Sequence, residues 1–105
     1  MNFVTLTPTV TALHSLDTEI MFSVASARAR EMDFVKIDLS EDNEQKIMAS
    51  ALKLLKTMKK QGRIQLFVDS AELHGSSTEA QYLANKYPEA LDAFKDGQKA
   101  IIVKI

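Results

Sequence analysis

Asp33-Phe-Val-Lys-Ile-Asp-Leu39, then Ser40 to Gln61, then Arg63-Ile-Gln-Leu-Phe-Val-Asp69 is the stretch on which the fold turns. In its first part Phe34, Lys36 and Asp38 alternate with Val35, Ile37 and Leu39, the period-two pattern of a half-buried strand. The period then changes. Ile47, Met48, Ala51, Leu52, Leu54, Leu55 and Met58 fall on one side of a 3.6-residue helix. Lys46, Ser50, Lys53, Lys56, Thr57 and Lys60 fall on the other. Gly62 stands where a helix takes a left-handed C′ residue, and Ile64-Gln-Leu-Phe-Val68 follows as a second strand. The stretch therefore predicts a βαβ crossover.

Outward from it, Asn2 to Thr7 reads as a first strand, with Pro8 interrupting it and Thr7 placed to cap a helix that has proline at its first position. Val10, Leu13, Leu16, Ile20, Val24 and Ala27 recur at helical spacing, predicting a helix that ends near Glu31. Residues 20–27 also alternate as a strand would. That alternative gives an α+β sandwich with an extra strand, but the Arg28-Ala-Arg-Glu31 stretch holds no hairpin residue. On the other side, Ser76 and Glu79 have the spacing of a capping box. Ala80, Leu83, Ala84, Tyr87, Leu91 and Phe94 form one apolar stripe, which Pro88 either kinks or divides into two helices. Lys99 to Ile105 is the last strand, and its near-continuous apolar run calls for cover on both faces. The expected fold class is α/β: one domain over residues 1–105, in the order βαβαβαβ, with about four strands in a mostly parallel or mixed sheet. By element order alone it is similar to small flavodoxin-like and anti-sigma-antagonist domains; no residue motif accompanies that likeness, so it implies no activity.

Composition narrows the function. The 105 residues suffice for one core, and there is no cysteine for a disulfide or a thiolate metal site. Thirteen basic residues against fourteen acidic ones give a net charge of −1, without the basic excess typical of nucleic-acid binders. Met1-Asn-Phe-Val carries no basic n-region, so no signal peptide is expected, and no stretch approaches ~20 apolar residues; the expectation is a soluble cytoplasmic protein with no membrane partner.

In open α/β sheets, ligands bind beyond the carboxyl ends of the strands. There the sequence places Asp38, and the richer loop of Asp69, Ser70, His74, Gly75, Ser76, Ser77 and Thr78. Helix-terminal amides with serine hydroxyls suit a phosphate or carboxylate. Two strand-end aspartates joined by one crossover would suit Mg²⁺ if they converge. The plain structural readings weigh against both: caps, turns and a surface histidine account for these residue types. No GxGxxG, P-loop or GxSxG motif is present, and no metal-ligand spacing. Lys53, Lys56, Lys60 and Arg63, with Lys59 at the margin, read as the solvated back of a helix. Arg28 falls within the apolar arc of its helix, where an arginine snorkels, pairs with an acid or enters a site.

The leading expectation is thus a non-catalytic interaction or structural module acting as a homodimer, with no cofactor. The alternative is a regulatory domain binding a small anion through the loop at 69–78. A third reading, a Mg-dependent hydrolase or phosphotransferase, has the least support.

Overall fold

A computed structural model describes residues 3–8, 13–39, 44–74, 77–92, 94 and 99–105. The described elements are β1 (Phe3–Leu6), α1 (Leu13–Ala29), β2 (Phe34–Asp38), α2 (Glu44–Lys60), β3 (Leu66–Asp69), a 3-10 helix (Ser70–His74), α3 (Thr78–Lys86), α4 (Pro88–Leu91) and β4 (Ala100–Lys104). The class is α/β, but the order is not the simple alternation expected, because a 3-10 helix and two α-helices separate β3 from β4. Residues 20–27 are helical. Ile20, Val24 and Ala27 are buried while Phe22 is exposed. A strand would have turned Phe22 to the same side as Ile20 and Val24. Thr7 and Pro8 precede α1 without being helical, and residues 9–12 lie outside the described ones.

The sheet order is β1-β2-β4-β3. β1 runs parallel to β2, whereas β4 is antiparallel to both of its neighbours. The predicted crossover is present, since β2 and β3 point the same way, but β4 lies between them. The apolar character of β4 explains its place. All five of its residues are buried, while β1, at one edge, is half-exposed. A strand that is apolar on both faces gains most in the middle of a sheet covered on both sides.

Two apolar layers result. Val35, Ile37, Leu39, Ile101 and Val103 meet Leu16, Ile20 and Val24 of α1 and Ala51, Leu55 and Met58 of α2. Phe34, Leu66, Val68 and Ile102 meet Ala80 and Leu83 of α3 and Ala90 of α4. Pro88 divides the predicted stripe, opening α4 as its first residue. The ring of Phe34 lies 5.5 Å from those of Phe3 and Tyr87. The buried Lys104 extends over the same cluster, with Nζ 5.6 Å from the Phe34 centroid and 5.5 Å from that of Tyr87.

α1 and α2 stop in the same way. Met32 N–H bonds the Ala27 carbonyl at 2.8 Å and Glu31 N–H the Arg28 carbonyl at 3.1 Å. Arg63 N–H bonds the Met58 carbonyl at 2.9 Å and Gly62 N–H the Lys59 carbonyl at 3.1 Å. These are two Schellman motifs. Gly62 takes its φ of 73° without strain, whereas Glu31 holds φ 55° at a cost of about 1 kcal/mol. Among the described residues no helix is long and apolar enough to cross a membrane.

Candidate functional site

The loop after β3 is engaged in holding the fold. Asp69, only 8% exposed, accepts the Ala71 N–H at 2.9 Å and the Glu72 N–H at 3.1 Å through Oδ1, capping the 3-10 helix. Ser70 Oγ accepts the Ala100 N–H at 3.4 Å and so ties this turn to β4. Ser77 Oγ accepts the Ala80 N–H at 3.1 Å and caps α3. The cap is therefore one residue later than the spacing of Ser76 and Glu79 predicted. Thr78 opens α3 and is exposed. Gly75, Ser76 and the side chain of His74 lie outside the described residues.

Asp38 and Asp69 lie at the same end of the sheet but not on the same face. Asp38 is opposite Ala100 and Asp69 opposite Ile101, consecutive residues on β4. Alternation sends one aspartate to the α3/α4 side with Phe34 and the other to the α1/α2 side with Phe67. The convergence of these two carboxylates that Mg²⁺ would need is therefore not present. Among the described residues no three His, Asp or Glu side chains come together as a metal site.

A cleft of about 600 Å³ lies along the outer side of β3, between α2, the 3-10 helix and α3. Leu52 and Phe67 supply its apolar surface, Lys56, Lys59 and Lys60 its basic rim, and Glu72 and Glu79 its acids. α2 and α3 lie on opposite faces of the sheet, so the 3.0 Å bridge from Lys59 Nζ to Glu79 Oε1 spans the open edge of β3. A smaller hollow of about 300 Å³, lined by Gln65, Thr78 and Tyr82, shares those two residues. With side chains 41% and 39% exposed, the bridge is worth no more than about 1 kcal/mol. It guards an edge strand more than it stabilises the domain. The hydrogen bond from Lys59 draws the Glu79 carboxyl below its ordinary pKa. Glu72 moves the other way: burial raises it, helped by Asp69 and Glu79 and opposed by Lys56 and Lys59.

A pH-dependent result follows for Glu72. A carboxyl whose folded pKa is raised penalises the fold once it ionises, and the penalty disappears as pH falls toward the unfolded value of 4.5. Glu72→Gln should therefore stabilise the protein slightly at pH 7 and have no effect well below pH 4.5. Urea midpoints at the two pH values check this. A variant less stable than the parent at pH 7 would refute it.

The third surface is the outer side of α1. Thr18, Phe22, Ala25 and Ala29 are exposed along it, with Phe22 at 73%. From Ile20 to Ala27 there is no charged residue. Asp17 and Glu19 precede this segment, and Arg28 and Arg30 follow it. The Glu19 Oε2 atom is buried without a hydrogen-bond partner among the described residues. Arg28 is exposed rather than buried in the apolar arc, and its guanidinium donates to the Arg63 carbonyl.

No family model, curated protein or solved structure matches this chain.

The chemistry available is thus that of the residues themselves. Of the described polar groups of the 69–78 loop, Asp69, Ser70 and Ser77 close turns and helix ends. The surfaces left over are the cleft along β3 and the uncharged face of α1. Sequence reasoning missed both. Phe67 becomes a cleft wall only because β3 lies at an edge, and Glu79 faces Lys59 from 20 residues away. The available signal for α1 was the absence of charge across residues 20–27 in a helix long enough to show solvent a face.

Proposed function

We propose that the chain is a non-catalytic interaction module that acts as a homodimer through the outer face of α1. One observation carries the reading: Phe22 stands 73% exposed at the centre of a helical face without charge. Single exposed apolar residues are ordinary. A phenylalanine flanked by alanines on the same uncharged face is the composition of a helix–helix contact, in which a large side chain enters the space left by small ones. The engagement of Asp69, Ser70 and Ser77 in internal bonds supports a role other than catalysis.

One helix face buries less than the ~800 Å² per partner of a standard interface, so the dimer belongs in the micromolar range. Sedimentation equilibrium at about 100 μM should find mainly dimer. Phe22→Lys should leave a monomer whose unfolding midpoint shifts little, within about 0.5 kcal/mol, because the side chain is solvated in the single subunit. A parent protein that stays monomeric near 1 mM would overturn the reading.

A further inference from the structure

We infer that two copies of α1 pair antiparallel, in a register centred between Ser23 and Val24. This rests on the homodimer reading and adds to it an orientation, a register and the ion pairs that fix them. The charges around the helix set this orientation. Leu16, Ile20, Ser23, Val24 and Ala27 are buried and define the inner side. At ~100° per residue, Thr18, Phe22, Ala25 and Ala29 then form the centre of the outer side. Asp17 and Arg28 fall on one flank of that face, and Glu19 and Arg30 on the other. In each pair the arginine lies eleven residues after the acid, about three turns, so acid and base share a flank at opposite ends of the helix.

Such a face is complementary to itself only when reversed. A two-fold axis perpendicular to the plane of the paired helices keeps each flank against its own counterpart and inverts the direction along it. Asp17 then meets Arg28 of the partner subunit, and Glu19 meets Arg30 of the partner subunit. Phe22 lies opposite the small Ala25 of the partner subunit, and the reverse holds across the axis. A parallel pair would instead set each flank against the opposite one, placing Glu19 beside Asp17 of the partner subunit and Arg28 beside Arg30 of the partner subunit. Only the antiparallel arrangement sets a guanidinium opposite the Glu19 carboxylate.

The test uses the pair that does not include Arg28, since Arg28 also bonds the Arg63 carbonyl within one subunit. Glu19→Arg and Arg30→Glu each convert two symmetry-related attractions into repulsions, so each should weaken the dimer about tenfold or more. Glu19→Arg combined with Arg30→Glu exchanges the charges and should return the dimer to within about threefold of the parent. Recovery in the double variant also shows that neither single change acts by unfolding the subunit. If both single reversals leave the dimer unchanged while Phe22→Lys still dissociates it, the register is overturned and the α1 interface stands. If the single reversals weaken the dimer and the double variant is as weak as either, the antiparallel pairing is overturned. A parent protein that never dimerises overturns the register and the interface together.

Discussion

Replacing Phe34 with alanine should lower the stability of the fold by about 3–5 kcal/mol, the largest effect of any single substitution considered for this domain. Phe34 is fully buried on β2. It joins three parts of the α3/α4 layer that have little else in common. Its ring stacks at a tilt on Phe3 of β1, meets the edge of Tyr87 between α3 and α4, and lies beneath the Lys104 ammonium. Truncation removes the transfer energy of a benzyl group and leaves a cavity that backbone on a strand inside the sheet cannot collapse to fill. Lys104 would then lose part of the apolar and aromatic surface that makes its burial tolerable. For a domain whose total stability is roughly 5–15 kcal/mol, the loss should appear as a fall of more than about 12 °C in the unfolding midpoint. Phe34→Leu, which keeps most of the volume, should lose less than half as much. A loss below about 1 kcal/mol for the alanine variant would mean that the α3/α4 layer does not depend on this ring.

The second large effect is expected at Asp69. Asp69→Ala removes the acceptor of two backbone N–H groups and leaves both without a partner at the buried start of the 3-10 helix. The expected loss is about 2 kcal/mol, near the upper end for helix caps, because the carboxylate is shielded from water. Asp69→Asn keeps an oxygen in the accepting position and should lose less than about 1 kcal/mol. The contrast separates two roles. A cap needs the acceptor and tolerates the loss of charge, whereas a cation ligand needs the charge. Equal damage from both variants in chemical denaturation would mean that the negative charge itself is required, and the capping account would fail.

The parts of the fold legible in the sequence are those decided locally. α2 is strongly amphipathic because its lysines all face water, and Gly62 announces the end of the helix. α1 was harder to read. Its outer face is nearly as uncharged as its inner one, which blurs the period that separates helix from strand. Its stop at Glu31 uses the same bonds as Gly62 but no glycine, so no residue signalled it. Ser76, Ser77 and Thr78 are all able to cap a helix. The choice of Ser77 goes with a Glu79 that is bonded to Lys59, a tertiary partner that no local pattern contains. Asp38 and Asp69 looked like a pair because both end strands of one crossover. Their opposite directions follow from the parity of the β4 register, a property of a strand more than thirty residues further on. The candidate interface was legible as composition, a charge-free segment with acids before it and arginines after it. Its meaning depended on knowing which side of the helix the core takes.

The position of β4 also sets the order of events in folding. β1, α1 and β2 can associate through contacts close in sequence, and α2 can extend from them. β3, however, has no strand to pair with until β4 inserts, because among the described residues its neighbour in the sheet is β4 alone. Phe34 must find Lys104, and Asp69 must find Ile101, so closing the sheet waits on long loops whose ordering entropy is lost before any contact repays it. β4 is therefore a wedge that enters late and joins both layers in one step. Folding should be cooperative and slow for a chain of this length. Until the wedge enters, the edges of β2 and β3 that will face it remain unpaired, and that interval is when the chain is most exposed to aggregation.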